Sequence, residues 1–233
     1  MMKSSLDKKV IAVIPAYNEE ENVGDLIKET SPYVDFTIVV DDGSTDRTCD
    51  VAKRAGGIVL QHSRNMGKGA ALKTGIRRAL ELDADIIVTI DGDGQYSPME
   101  IPKLVAKLEE GYDLVVGCRR LSGEMPLVRR LSNLISSAIL RVLFRIPVKD
   151  TQCGLRAFTR SALEQVPIRE SGYLVESQVL VDAVRSKLRV GEIPVTVSYS
   201  GVKSKIKPVR ETLLFTLFIL REILRALRLK LAQ

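Results

Sequence analysis

A chain of 233 residues with 45% hydrophobic content can bury one full core and does not require two domains. Its 35 lysines and arginines against 29 acidic residues leave a net charge of +6, which points to anionic partners: a phosphorylated substrate, an anionic membrane face or nucleic acid. Three widely spaced cysteines, Cys49, Cys118 and Cys153, exclude a disulfide framework and a cysteine metal site, and free thiols in a reducing compartment are expected. Met1 to Lys9 is polar and the apolar run after it is only five residues, so no secretory leader is read and the cytosol is expected.

Short β-type runs alternate with helical stretches, the pattern of an α/β fold with a mostly parallel sheet flanked by helices. Val10 to Ile14 reads as the first strand. In the PAYNEEEN stretch that follows, Pro15 is expected to end the ladder and Asn18 to cap a helix with Glu19, Glu20 and Glu21 in its first turn. Phe36 to Val40 runs into DDGSTDRT, where Ser44 or Thr45 is expected to cap the next helix. Ile58 to Gln61 is a short third strand. The stretch HSRNMGKGAALKTGIRRAL after it is a glycine-rich loop opening an amphipathic helix with Ala70, Leu72, Ile76 and Leu80. The spacing of a P-loop is absent, but exposed amides and Lys68 at a helix start still favour an anion.

The run Asp85 to Ile90 then breaks into TIDGDGQ, which places Asp91 and Asp93 one residue apart just past a buried strand. Ligand sites of open α/β sheets lie beyond the carboxyl ends of such strands. Gly92 and Gly94 permit a sharp turn, and two carboxylates with the Gln95 amide make a hard oxygen set suited to Mg²⁺ or Mn²⁺. The plainer alternative is a solvated Asp-Gly turn.

Pro98 to Glu110 reads as a helix and Leu114 to Gly117 as a strand. Arg119, Arg120, Arg129 and Arg130 flank a glycine-containing loop before a long apolar-faced helix, Leu131 to Phe144. Arginine forks of this kind suit a phosphate, against the alternative of a solvated helix face. DTQCGLRAF gives a turn, a short strand and a buried-looking Arg156. Glu176 to Ser186 is a helix, and Val190 to Tyr199 alternates like an antiparallel or edge strand. The basic GVKSKIKP stretch folds over a diphosphate or serves as a connector. From Val209 the chain is one helix in which Leu213, Leu217, Leu220, Leu224, Leu227 and Leu231 repeat at four-and-three spacing. Its uncharged apolar core, Thr212 to Leu220, is far shorter than the roughly 20 residues that cross a bilayer. The seam therefore pairs with another subunit, packs on its own domain or lies in a membrane interface with Arg221, Arg225, Arg228 and Lys230 toward the headgroups.

The ordered set PAYNE, VVDDGSTDRT, NMGKGAAL, IDGDGQ, GCRR, DTQCGLR and EIPV followed by GVKSKI resembles family 2 glycosyltransferases of the GT-A fold, and among them dolichyl- or polyprenyl-phosphate sugar synthases. The resemblance implies a catalytic domain over 1–208 and an appended amphipathic helix over 209–233. It implies that Pro15, Tyr17 and Glu19 hold the nucleobase and ribose of a GDP- or UDP-linked sugar, with Asp41 and Asp42 as a second contact. Asp91, Asp93 and Gln95 resemble the triplet that bridges Mn²⁺ or Mg²⁺ to the donor diphosphate. Arg119 with Arg129 or Arg130, and Ser132 nearby, resemble an acceptor-phosphate clamp, and Lys205 a basic residue of a mobile loop near the donor.

A phosphate acceptor needs no general base, because its second pKa is about 6. The chain's one histidine, His62, reads as structural. Glu176 is a candidate base only if the acceptor is a hydroxyl. The Q-x-x-R-W signature of processive synthases is missing, which argues for transfer of a single sugar. The membrane helices that many relatives carry after this domain are not read here, so the expectation is that the C-terminal helix docks on the membrane surface, that a separate membrane partner anchors the chain, or that the acceptor is not a lipid. Three alternatives stand beside this reading: transfer to a soluble or hydroxyl acceptor, a sugar-phosphate nucleotidyltransferase, and a non-catalytic nucleotide-sugar-binding protein. A nucleotidyltransferase would ordinarily open with G-x-G-x-R, where this chain has PAYNEEEN. Nucleic acid is not an expected partner.

Overall fold

The continuous apolar run at the head of the chain demands a strand covered on both faces, and β1 (Val10–Ala16) has Ile11 through Ile14 fully buried. The computed structural model describes residues 8–119, 127–198 and 208–231. It separates into two compact units, Met1–Ser200 and Gly201–Gln233.

In the first unit β1 is followed by α1 (Val23–Thr30), β2 (Phe36–Asp41), α2 (Thr48–Arg54), β3 (Ile58–Gln61), α3 (Lys68–Glu81) and β4 (Ile86–Thr89). Then come a 3₁₀ turn over Pro98–Glu100, α4 (Ile101–Glu109), β5 (Leu114–Arg119), α5 (Leu127–Phe144), β6 (Arg156–Thr159), α6 (Arg160–Gln165), α7 (Val175–Arg185) and β7 (Val190–Val195). The strands form a sheet of order β3-β2-β1-β4-β6-β5-β7 in which only the β6 pairings are antiparallel. The second unit contains α8 (Pro208–Leu231).

This topology decides where chemistry can sit. All strands but β6 point the same way, so their carboxyl ends share one edge, and β6 begins at that edge with the DTQCG turn before it. The chain adds β2 and β3 on one side of β1 and β4 on the other, so strand order reverses between β1 and β4. A crevice opens at such a switch point. The loops after β1 and β4 meet there, since a side chain on Gly92 would press on the Pro15 carbonyl.

Three expectations are corrected. Pro15 does not end the first strand: it pairs with Val40 and the ladder runs on to Ala16–Asp41. The Val13 carbonyl accepts from Ile90, so Val13 and Pro15 both face β4, whose ladder stops at Val13; no pairing is lost to the missing N–H. Asn18 does not cap α1, which starts five residues later; it takes a left-handed φ of 52° and its Oδ1 accepts from the Thr45 amide at 2.8 Å. Ser44 and Thr45 do not cap α2 either. Ser44 Oγ accepts from the Asn18 amide and Arg47 stands at the cap position, so the residues expected to start helices stitch the two loops together instead. The last strand bears out the edge alternative: β7 ends the sheet, parallel to β5, and just past it Val197 forms an antiparallel bridge with Tyr96.

Candidate active site

The apolar strand β4 delivers Asp91 and Asp93 to the shared edge. The turn that carries them is fixed from within: Asp93 Oδ1 accepts from the Gln95 amide at 3.1 Å and Oδ2 from Gln95 Nε2 at 2.8 Å, while Gly94 takes a φ of 69°. With Nε2 committed, the Gln95 carbonyl oxygen is the end of that side chain left to accept or to meet a cation. Burial, and then the charge of Asp91, push the Asp93 carboxyl up to about 6. Two carboxylates forced together in this way are what a divalent cation relieves, so the donor set fits the metal that the sequence suggested. Among the described residues no cluster of three or more His, Cys, Asp or Glu side chains is placed to hold a metal, so a cation here would rest on the two carboxylates and the Gln95 amide.

From the opposite wall, α3 brings Lys68. Its ammonium lies 2.6 Å from Asp91 Oδ1 and 2.6 Å from Glu176 Oε1, a residue of α7. Burial would lower the Lys68 pKa, but Asp91 and Glu176 outweigh it and hold the amine above its ordinary range. The amides at the start of α3 do not offer themselves to an anion: Gly69 and Ala70 donate to the Ser171 carbonyl, so that part of the expectation is corrected. A Cβ at Gly67 or Gly69 would collide with the 170–171 backbone, so both glycines serve this close approach.

The DTQCG turn closes the site from the β6 side. Gly154 lies against the Asp91 carboxylate, where any Cβ would collide with it. Thr89 Oγ1 donates to the Gly154 carbonyl at 3.0 Å, and the Gly154 amide donates to the Tyr96 hydroxyl at 3.2 Å. Buried Arg156 donates to the carbonyls of Thr151, Cys153 and Glu176, which ties this turn to α7.

Of the remaining predicted residues, Pro15, Tyr17 and Glu19 lie in or just after the end of β1, half-buried at the switch point, with Glu19 Oε2 accepting from Asn22 Nδ2. Asp41 and Asp42 are buried organisers of their loop. Asp41 accepts from the Ser44 amide and Gln61 Nε2; Asp42 accepts from the Met66 and Gly67 amides and pairs with His62 Nδ1 at 2.7 Å. His62 Nε2 meets Thr74 Oγ1, so the histidine is structural, as its sequence context suggested. Arg119 does not present an open fork: Nε and Nη2 bind both oxygens of Asp150 at 2.6 and 2.8 Å. Arg130 and Ser132 sit in the first turns of α5, with Ser132 exposed. The Arg129 side chain and Lys205 lie outside the described residues. The sequence reading missed the pairing of Lys68 with Glu176 and the shielding of Asp91 by Gly154; the glycines at 67, 69 and 154 were the available signal.

Residues 11–167 match the family model described as glycosyl transferase family 2. The UDP-N-acetylglucosamine–dolichyl-phosphate N-acetylglucosaminyltransferase of Methanococcus voltae is 35% identical over 219 residues, covering 83% of this chain and 87% of that one. Glucosyl-3-phosphoglycerate synthase of Mycobacterium tuberculosis, solved with Mn²⁺, UDP and phosphoglyceric acid, superposes with a TM-score of 0.70 at 27% identity, over 88% of this chain and 74% of that one. The same enzyme solved with Mg²⁺ and UDP gives 0.68 at 27% identity with the same coverage.

Proposed function

The chain belongs to glycosyl transferase family 2, and from that premise we propose that it moves one sugar from a GDP- or UDP-linked donor to a polyprenyl or dolichyl phosphate. Membership decides for sugar transfer over nucleotidyl transfer. In this reading Asp91, Asp93 and Gln95 would hold Mn²⁺ or Mg²⁺ beside the donor, and Pro15, Tyr17, Glu19, Asp41 and Asp42 would shape the nucleoside pocket. The bound ion supplies Lewis-acid neutralisation of charge on the departing diphosphate. Lys68 adds a second positive charge from the other wall. A phosphate oxygen of the acceptor forms the bond to the anomeric carbon as the bond to the donor diphosphate breaks, with inversion, and the electron pair leaves with the nucleoside diphosphate.

The observation that supports an anionic acceptor is that Glu176, the candidate base, and His62, the one histidine, are both engaged elsewhere. His62 is held between Asp42 and Thr74, and the Glu176 carboxylate, whose side chain is 6% exposed, is paired with Lys68. An ionised phosphate oxygen requires neither. Arg130, or Arg129 in its place, and Ser132 are the proposed contacts to the acceptor phosphate, and Lys205 is proposed as a basic contact to the donor; the Arg119 guanidinium is paired with Asp150 at the end of β5. The relative that acts on dolichyl phosphate favours a lipid acceptor. A soluble phosphorylated acceptor is the second reading, favoured by the neighbour crystallised with phosphoglyceric acid.

The test is incubation of the full chain with a panel of labelled GDP- and UDP-sugars, Mn²⁺, and either polyprenyl phosphate or small phosphorylated acceptors. Label extracted into organic solvent only when polyprenyl phosphate is present is the expected result. Label confined to the aqueous acceptor selects the second reading, and pyrophosphate release without sugar transfer overturns both.

A further inference from the structure

The ammonium of Lys68 sits on a carboxylate that the proposed reading assigns to the metal. At 2.6 Å it holds Asp91 Oδ1, and it is anchored behind by Glu176 Oε1 at the same distance. The Lys68 and Glu176 side chains are 14% and 6% exposed, so water screens this bridge little. Among the described residues Glu176 Oε2 is buried without a hydrogen-bond partner, so half of the anchor's accepting capacity is unused. Asp93 is bound by Gln95 instead. A carboxylate oxygen engaged by an ammonium has fewer lone pairs for a divalent ion, and two cations on one carboxylate repel.

We propose that Lys68 is a displaceable counter-ion of the metal site. It neutralises Asp91 when no donor is bound, and it transfers to the donor diphosphate when metal and nucleotide enter, pivoting on Glu176. The inference rests on Asp91, Asp93 and Gln95 being the cation site. Its consequence is a coupling between two ligands. Metal alone must displace Lys68 from Asp91 with nothing to receive the ammonium, whereas metal with a nucleoside diphosphate gives it a new anion. The two ligands therefore strengthen each other by the same factor, and Glu176 is a positioning residue that keeps the ammonium within reach of both partners.

Mn²⁺ binding to the full chain, followed by the electron paramagnetic resonance of the free ion with and without GDP or UDP and corrected for the manganese–nucleotide complex in buffer, reads this directly. Wild type is expected to bind Mn²⁺ about tenfold or more tightly with nucleotide present. Lys68→Gln should bind Mn²⁺ alone several-fold more tightly than wild type and show a smaller coupling, keeping only the part that comes from direct contact of the ion with the diphosphate. The double variant Lys68→Gln with Glu176→Gln separates displacement from simple charge, because it removes one positive and one negative group and keeps the formal charge of the site. Tighter nucleotide-free binding in the double variant supports displacement; binding equal to wild type overturns it. Glu176→Gln alone leaves Lys68 on Asp91 and should weaken Mn²⁺ binding, which keeps the test open should Lys68→Gln not fold. Asp93→Asn guards the premise: if it binds Mn²⁺ as wild type does, the cation site itself is wrong. If it loses Mn²⁺ while the Lys68 variants bind no more tightly than wild type, only the counter-ion inference fails.

Discussion

At the scale of single residues, the proposed metal ligand Asp93 carries a cost in stability. Its carboxyl is pushed from 3.8 to about 6, so the folded chain holds that proton more tightly than the unfolded chain does. Stability is therefore lost as pH climbs through that window, and the whole loss is present at neutral pH. Asp93→Asn removes the loss. In the absence of divalent cation the variant should be more stable than wild type by about 1 to 2 kcal/mol near pH 7.5 and unchanged near pH 4, while Mn²⁺ no longer raises its melting temperature. Equal melting temperatures at both pH values would show that the two carboxylates do not strain one another. Gly154 is the second such position. A methyl there collides with the Asp91 carboxylate, so Gly154→Ala should lower kcat/KM for the donor by about tenfold or more, through misplacement of a ligand. Circular dichroism should stay native; a variant with unchanged turnover would place Asp91 outside the reaction.

Among the secondary-structure elements, the strands were the most legible part of the fold, because VIAVI, FTIVV and IIVT are runs of β-branched and aliphatic residues that only a doubly covered sheet can use. Helix starts were misread at Asn18, Ser44 and Thr45 because their side chains bond across two loops 26 and 27 residues apart, a partnership that local pattern cannot show. The carboxylate pair Asp91 and Asp93 could be read from its place after β4. The bridge from Lys68 to Glu176 could not, since Gly67 and Gly69 signal a close backbone approach but not which distant residue it brings to Lys68. The helix α3 also packs closely on the sheet: a Cβ at Gly75 would overlap the Val13 side chain and press on Val40. Gly75→Leu should therefore push α3 off β1 and β2 and destabilise the chain by about 1 to 3 kcal/mol in urea unfolding. Because α3 carries Lys68, Mn²⁺–nucleotide coupling should fall in the same variant. A stability loss below about 0.5 kcal/mol would mean that the helix does not seat against these strands as described.

For the whole molecule the open question is how a chain proposed to act on a lipid phosphate reaches a bilayer, since no described helix is long and apolar enough to cross one. A net charge of +6 would favour an anionic surface, and α8 carries Leu213, Leu217, Leu220, Leu224 and Leu227 at spacing that keeps them on one side of the helix, with Arg221, Arg225 and Arg228 interleaved. Each basic residue near such a surface contributes about 1 kcal/mol, an attraction that salt screens, while buried leucines contribute a part that salt does not. The full chain should therefore float with vesicles containing acidic phospholipid, less so with neutral ones. Raising salt to about 0.5 M should weaken the binding without abolishing it. Replacing Leu217 and Leu224 together with Glu should release the protein at any salt while leaving transfer to a short, water-soluble prenyl phosphate intact. If the wild type instead remains in solution and sediments as a dimer that the same double substitution dissociates, the leucine face joins two copies of the chain, and the lipid acceptor must be met elsewhere on the surface.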